Sequence, residues 1–313
     1  MLTRLGLTFK GVKDPRACRG QRHPLAAMLT LLVQALAVER RVLRRAEALG
    51  EDMLREGTAP EGLRRPVSDT TLDRLLMSLE PEGLEQEVHQ TVHRGLELGL
   101  IRQDLFARGV VTFDGKVGES TPGQAPCEPC HTTKDEQGRE YGYPYALRAS
   151  LTSSAAHPVL DQKLLEGKQG EATVFPELFK RVVGKFGEHF EYVTVDAGMT
   201  SAANARVVRE AGKHYLMALK ENFHRLHDKA WVLLAVAPVK VRVHEWAKGE
   251  WVERESRVVD MPEEDFPSAR QLVWVRQVRT KDGGPKVETR LFLTSLASGQ
   301  LPAGPGAHAP VGS

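Results

Sequence analysis

Two short runs of β-branched and aromatic residues, each followed directly by an aspartate, constrain the fold of this chain more than any other feature. Residues 110–113 read Val-Val-Thr-Phe before Asp114, and residues 192–195 read Tyr-Val-Thr-Val before Asp196. Such runs predict buried β-strands, and the Asp-Gly and Asp-Ala-Gly segments that follow are typical of the turn that ends a strand. We therefore predict two strands that each end at an acidic residue.

The elements predicted between these two aspartates set the order of the strands. Strand patterns occur at Tyr145–Thr152 and Val159–Leu164, and an amphipathic helix pattern follows at Glu171–Phe186. Three strands, a helix and a further strand is the ribonuclease-H-like order, in which the first and fourth strands lie side by side. The sequence therefore predicts an α/β fold with a ribonuclease-H-like core, in which the two carboxylates project from neighbouring strand ends.

Changes in periodicity divide the chain into four predicted parts. Residues 1–105 carry apolar helical spacing and indicate a helical N-terminal domain. Residues 106–236 form the predicted core, and residues 237–296 read as strand after strand, which indicates a β-rich insertion. Residues 297–313 are rich in Gly, Pro and Ala without periodicity, so we expect a disordered tail.

The net charge of +2 conceals a basic N-terminal segment. Residues 1–50 contain ten Lys and Arg against three Asp and Glu, a surplus of seven, so the rest of the chain has a deficit of five. A basic segment on an otherwise acidic chain is typical of a module that contacts DNA phosphates, although a solvated helix surface gives the same pattern. Arg16, Arg19 and Arg22 are the predicted phosphate contacts.

Three features bear on the cellular compartment. The longest apolar run, Leu29–Val38, is too short to cross a bilayer, and Met1–Lys10 does not resemble a secretory signal. Three cysteines, Cys18, Cys127 and Cys130, cannot form a disulfide framework. We expect a soluble cytoplasmic protein without a membrane partner, associated with the nucleoid.

The two aspartates carry the predicted chemistry. Carboxylate oxygens are preferred ligands of Mg²⁺ and Mn²⁺, and two such ions can clamp the attacking and leaving oxygens of a phosphoryl transfer. Asp114 and Asp196 are therefore the predicted metal ligands and catalytic residues, although each alone is also explained as a turn residue. Lys116 and Lys220 are expected to contact DNA phosphates. Asn222 has a simpler interpretation as the N-cap of a helix that starts at Phe223.

The segment Cys127-Glu128-Pro129-Cys130-His131 has several interpretations. C-x-x-C-H is the pattern of c-type haem attachment, and C-x-x-C is half of a zinc site that His131 and His157 could complete. A loop with two free thiols is the simplest interpretation. A cytosolic metal or redox protein that uses Cys127 and Cys130 stays open as an alternative function.

Five motifs in order resemble those of the DDE insertion-sequence transposases, in particular the H-repeat-associated (ISAs-type) group. The opening resembles the D-P-R…R-G-x-x-H-P-L of that group, the next segment its P-S-x-D-T-x-x-R, and later segments its two aspartate-bearing strands and its A-L-K-x-N. The matching residues are Asp14-Pro15-Arg16 with Arg19-Gly20 and His23-Pro24-Leu25, then residues 67–74, Asp114-Gly115-Lys116, residues 193–197, and residues 218–222.

This resemblance implies the function as well as the fold. It implies a ribonuclease-H-like core interrupted by a β-rich insertion. It also implies cleavage of transposon ends that depends on Mg²⁺ or Mn²⁺, followed by strand transfer into a target DNA. Double-stranded DNA is the implied partner, with a homo-oligomer assembled on it.

The chain departs from the family after Leu296. The family's third carboxylate is a Glu in a tract such as R-x-H-W-x-I-E-N, and no such tract occurs here. Glu253 could be nominated instead, but it belongs to a predicted strand of the insertion. We therefore expect an incomplete core, from a truncated or frame-shifted copy with impaired transposition. A non-catalytic DNA-binding remnant is the alternative.

Overall fold

The computed structural model describes residues 7–105, 108–118, 121–122, 131–166, 169–247, 249–262, 265–281 and 284–298. The chain forms two compact units, Met1–Leu100 and Ile101–Ser313. Cys127, Cys130 and all but the first two residues of the predicted tail lie outside the described residues. None of the helices in the described part has the length and apolar character needed to cross a membrane.

The first unit is helical. Its apolar core contains the fully buried side chains of Met28, Leu31 and Leu72. Four helices follow a short 3₁₀ turn at Cys18–Gly20: α1 (Leu25–Ala37), α2 (Leu43–Arg55), α3 (Asp69–Ser78) and α4 (Pro81–Glu97).

The apolar spacing from Leu25 to Leu49 predicts one helical stretch, but the structure interrupts it between α1 and α2. Glu39 has a positive φ of 59°. The amide of Arg40 donates to Ala35 O (2.8 Å) and the amide of Glu39 donates to Leu36 O (3.0 Å). This pair of hydrogen bonds is a Schellman cap, which ends a helix because the residue after its last turn is left-handed.

The second unit is a mixed α/β structure built on one large sheet. The nine strands of that sheet lie in the order β6-β5-β1-β7-β8-β12-β11-β10-β9, and β2, β4 and β3 form a separate small sheet. In chain order, the elements of the second unit are β1 (Val110–Val117), β2 (Thr121–Pro122), β3 (His131–Lys134), β4 (Glu140–Tyr143), β5 (Tyr145–Leu151), β6 (Val159–Leu164), α5 (Glu171–Phe186), β7 (Tyr192–Val195), α6 (Ala202–Glu210), β8 (His214–Leu219), α7 (His224–Ala235), β9 (Val239–Ala247), β10 (Glu250–Asp260), β11 (Gln271–Lys281) and β12 (Gly284–Thr294).

The first and fourth strands of the large sheet pair as the sequence order predicts. Strand β1 runs parallel to β7, with Phe113 opposite Val195, and β7 runs parallel to β8. On one face of the sheet, Phe113 contacts Phe175 and Phe179 of α5 at ring-centroid distances of 5.0 and 6.0 Å. Burial of these rings fixes α5 across β1.

Three local predictions were wrong. Strand β1 does not end at Asp114 but continues to Val117, because its last residues pair with β5. Residues 117–143 are rich in Gly, Pro and charged residues and predict one long loop, but they contain β2, β3 and β4. Helix α7 begins at His224 with Phe223 at its N-cap position, so Asn222 is not the cap.

The strands predicted as an insertion continue the large sheet. Strand β12 pairs antiparallel with β8, with Leu291 opposite Leu219, and β11, β10 and β9 follow as successive neighbours. The segment Lys281-Asp282-Gly283-Gly284 predicts a hairpin, and β11 and β12 are antiparallel neighbours up to the pair Lys281 and Gly284. Residues 239–294 therefore extend the sheet that carries the two aspartates.

Candidate active site

Parallel pairing of β1 and β7 brings the two predicted aspartates together. Phe113 and Val195 are the last pair in the register, and Asp114 and Asp196 are the next residue on each strand. Neighbouring strands lie about 4.8 Å apart, so the two aspartates occupy adjacent positions, Asp114 within β1 and Asp196 directly after β7. The Thr112 hydroxyl lies 2.7 Å from the Thr194 hydroxyl and cross-links the strands two residues before the aspartates.

The loop after β7 holds Asp196 in place. The backbone amide of Met199 donates to Asp196 Oδ1 (3.2 Å). The Thr200 hydroxyl lies 3.1 Å from Asp196 O and 2.6 Å from Ala218 O, which ties the loop to the end of β8. The Asp196 side chain stays exposed to solvent while its backbone is fixed on two strands.

Asp114 forms an ion pair with Lys116 of the same strand. Lys116 Nζ lies 2.7 Å from Asp114 Oδ2, and the two side chains are 43% and 39% exposed. Residues two apart on a strand share a face, so this ion pair follows from the continuation of β1 past Asp114. The predicted phosphate contact Lys116 therefore lies beside the predicted metal ligand.

The carboxylate of Glu171 approaches β1 from α5. Glu171 is the first residue of that helix, and the Tyr145 hydroxyl donates a hydrogen bond to Glu171 Oε1. Both groups lie against Gly115, where a Cβ would overlap Glu171 Oε1 and the Tyr145 hydroxyl oxygen. Because Gly115 has no side chain, Glu171 and Tyr145 can lie directly against the backbone of β1 at that position.

Burial and neighbouring charges change the pKa of Glu171. Burial raises the pKa of Glu171, the Tyr145 hydrogen bond opposes that effect, and the negative charges of Asp196 and Asp114 raise the pKa further. Burial and the hydrogen bond to Glu171 raise the pKa of Tyr145 as well. The charges of both aspartates therefore act on Glu171.

Sequence reasoning missed Glu171 and Tyr145 as site residues. Both are the first residue of a predicted element, and an acidic residue in the first turn of a helix has an ordinary explanation in the helix dipole. Only a glycine directly after Asp114 hinted that another group approaches β1 there.

The donor chemistry of the two aspartates fits a divalent metal. Within the described residues, no three His, Cys, Asp or Glu side chains are arranged as ligands of a single ion. Mg²⁺ needs fewer protein ligands than that, because it keeps several waters and is commonly bound through one or two carboxylates. Asp114 and Asp196 therefore suffice in number and kind to hold Mg²⁺ or Mn²⁺.

The predicted DNA contacts fall in different environments. Lys220 follows the last residue of β8 and is exposed, and Arg19 and Arg22 are exposed in the first unit. Arg16 is only 13% exposed and forms an ion pair with Asp14 (2.7 Å). Its guanidinium also donates to His23 O (2.8 Å), so Arg16 has a structural role within its own unit.

His131, the histidine of the predicted C-x-x-C-H motif, lies on β3 against aromatic rings. Its ring is stacked with Tyr143 at 5.8 Å and meets Tyr145 edge-on at 5.2 Å. Among the described residues, its Nε2 atom is buried without a hydrogen-bond partner. Because the two cysteines lie outside the described residues, the alternative metal or redox function stays a prediction.

The chain is similar to a distant relative among known proteins. A protein of Xanthobacter autotrophicus described as "Uncharacterized protein in dhlA 3'region" is 28% identical over 147 residues, which are 43% of this chain and 48% of the relative. The chain thus spans about half the length of that relative. No family model matches the chain.

Proposed function

We propose that this protein is a DDE-type transposase that cleaves double-stranded DNA in a reaction dependent on Mg²⁺ or Mn²⁺. The observation that carries the proposal is the parallel pairing of β1 and β7, which puts Asp114 and Asp196 at adjacent positions on one sheet edge. The resemblance of five ordered motifs to insertion-sequence transposases supports DNA as the substrate.

The strand order supports a ribonuclease-H-like core as part of this proposal. The first three strands of the large sheet, β1, β5 and β6, are antiparallel neighbours, and β7 and β8 follow in parallel on the other side of β1. This order agrees with the ribonuclease-H-like order, in which strands one and four are adjacent. Helix α5 connects β6 to β7, as that order requires.

Each residue of the site has a role in the proposed reaction. Asp114 and Asp196 would hold the metal, and Lys116, displaced from Asp114, would become free to contact a DNA phosphate. Lys220 would contribute positive charge at the end of β8. Bound metal would supply activation of the attacking water and stabilisation of the leaving oxygen.

The proposed cleavage site rests on Asp114 and Asp196, and Glu253 is the third carboxylate that the sequence could nominate. Glu253 lies too far from the aspartates to act with them. It lies on β10, and β8, β12 and β11 separate β10 from β7. Four strand spacings of about 4.8 Å put it roughly 19 Å from the β7 strand, beyond the reach of a shared metal.

A cleavage assay with supercoiled plasmid DNA tests the proposed function. Asp114→Asn and Asp196→Asn should each reduce nicking in Mn²⁺ or Mg²⁺ by about 100-fold or more, because stabilisation by the metal is worth several kcal/mol. Asp228→Asn, whose side chain is 82% exposed on α7, is the matched control and should nick DNA like the wild type.

Two outcomes would contradict the proposal. Nicking that survives both substitutions would place the activity elsewhere or in a contaminant. A wild-type protein that binds DNA but never nicks it would favour the non-catalytic DNA-binding alternative. Homo-oligomer formation on DNA and a cytoplasmic, nucleoid-associated location are parts of the same proposal.

A further inference from the structure

We propose that Arg148 of β5 binds a phosphate group of the DNA beside the two aspartates and is a catalytic residue of the proposed cleavage. This inference rests on the proposed function, because it takes DNA as the substrate and Asp114 and Asp196 as the metal site. It adds to that site a cationic residue that holds the substrate and that none of the sequence motifs contains.

The register of the sheet puts Arg148 directly beside Asp114. Asp114 of β1 is opposite Arg148 of β5, and Arg148 is in turn opposite Gln162 of β6. Side chains of directly opposed residues project from the same face of a sheet, so Arg148 and Asp114 share a face. This is the face opposite α5, because Phe113, the neighbour of Asp114, packs on that helix. With Asp196 at the adjacent position after β7, these polar residues occupy one row across four strands.

Most of the hydrogen-bonding capacity of Arg148 is unused. An arginine side chain carries five N–H donors. Within the described part of the chain, Arg148 Nη2 donates a long hydrogen bond to Gln162 Oε1 (3.4 Å), and Arg148 Nε is buried without a partner. A buried donor without a partner costs free energy, so little is lost when the side chain turns toward a better acceptor. The guanidinium is therefore available to a ligand.

Arg148 differs in this respect from Lys116, the other cation beside Asp114. Lys116 Nζ lies 2.7 Å from Asp114 Oδ2 and becomes available only when a metal displaces it. Among the described residues, Arg148 has no carboxylate within ion-pair distance, although it lies opposite one in the sheet. An unpaired cation next to two metal-binding carboxylates suits an anion that is bound together with the metal, and a phosphodiester is such an anion.

A phosphate that lies over Asp114 and Asp196 comes within reach of Arg148. Neighbouring strands lie about 4.8 Å apart, and the long side chain of Arg148 spans one such spacing. The planar fork of a guanidinium matches two oxygens of a phosphate, which a lysine ammonium cannot do. Arg148 therefore orients the phosphate against the aspartates and neutralises the charge that increases on its oxygens during cleavage.

Nicking of supercoiled plasmid DNA in Mn²⁺ by Arg148→Met tests the inference. Methionine keeps an unbranched, flexible side chain in β5 but supplies neither charge nor an N–H donor. The kcat for nicking should fall by about 10- to 100-fold, because hydrogen bonds to a charged phosphate are lost from the transition state. Arg148→Lys keeps the charge without the planar fork, so its kcat should fall between those of Arg148→Met and the wild type.

Two further measurements separate contact with the substrate from a structural role. Mn²⁺ affinity, measured without DNA by electron paramagnetic resonance, should be unchanged or higher in Arg148→Met, because a positive charge beside Asp114 has been removed. The midpoint of chemical denaturation should stay close to that of the wild type. Arg139→Met is the matched control. Arg139 is 65% exposed and paired with Asp135 of the same turn, so this variant should nick DNA like the wild type.

The outcomes distinguish this inference from the proposed function. If Arg148→Met nicks DNA like the wild type while Asp114→Asn does not nick it, the inference fails and the proposed function stands. If Arg148→Met and Arg148→Lys both lose Mn²⁺ binding or the folded state along with nicking, Arg148 has a structural role, which also overturns the inference. A wild-type protein that never nicks DNA would remove the proposed function and this inference together.

Discussion

The absence of a side chain at Gly115 allows Glu171 and Tyr145 to contact β1 directly after Asp114. Gly115 lies between Asp114 and Lys116 on β1, and the space where its Cβ would stand is occupied by the ends of the Glu171 and Tyr145 side chains. The sequence predicted Asp114 and Asp196 because local strand patterns mark both of them. It could not predict Glu171, because the approach of α5 to Gly115 depends on packing between residues distant in sequence.

Gly115→Ala should destabilise the protein by about 1–3 kcal/mol, because the added methyl group forces Glu171 and Tyr145 apart. Chemical denaturation measures the loss. The matched control is Gly184→Ala in α5, where a Cβ meets nothing within 4 Å. That substitution should stabilise the helix by about 0.5–1 kcal/mol. A Gly115→Ala protein as stable as the wild type would contradict the proposed close approach.

Among the elements, α5 packs on the large sheet and carries Glu171 at its first position. Its buried Phe175 and Phe179 pack on β1, and Arg181 forms two hydrogen bonds with Asp161 of β6 (3.1 and 2.5 Å). The Asp161 side chain is 1% exposed. A buried carboxylate held by a fork of two hydrogen bonds makes this contact specific in geometry.

Arg181→Met should cost about 3–5 kcal/mol of unfolding free energy, because it leaves the buried Asp161 charge without its main partner. Lys185, 3.6 Å from Asp161, keeps the loss near the lower value. Lys163→Met removes an exposed ion pair with Glu177 between the same two elements and should cost less than about 1 kcal/mol. Equal losses of unfolding free energy in the two variants would contradict the larger contribution that we assign to the buried Asp161.

Local signals predicted some elements well and others poorly. Ser68 caps α3 by accepting a hydrogen bond from the Thr71 amide (3.3 Å), as its position in a Ser-Asp-Thr-Thr cluster predicts. The end of β1 was misplaced because its last residues are held by cross-strand partners in β5, which no local pattern reveals. The break between α1 and α2 was missed because Glu39, a residue uncommon in left-handed backbone, forms the cap.

At the scale of the whole molecule, basic charge and candidate catalytic residues belong to different compact units. The basic N-terminal segment lies within Met1–Leu100, and the aspartates lie within Ile101–Ser313. If DNA phosphates are contacted through the first unit, affinity and cleavage should be separable by mutation.

Arg19→Ala with Arg22→Ala should weaken binding to duplex DNA, because fewer phosphates are then neutralised by the protein. The slope of log affinity against log salt should fall by about 0.9 for each phosphate that is no longer neutralised. Titrations at several salt concentrations measure this slope. Arg55→Ala, exposed on α2 and paired with Asp52, is the control and should leave the slope unchanged. An unchanged slope in the double variant would place the phosphate-binding residues elsewhere.

The pairing of β12 with β8, two strands far apart in sequence, has a consequence for synthesis of the protein on the ribosome. Leu219 and Leu291 are 72 residues apart in sequence yet pair directly, so β8 stays an open strand edge until the last strand of the sheet has emerged. Unpaired edges of this kind attract other strands. The nascent chain must therefore pass through a period in which the sheet that carries both aspartates is exposed to mispairing and to chaperones.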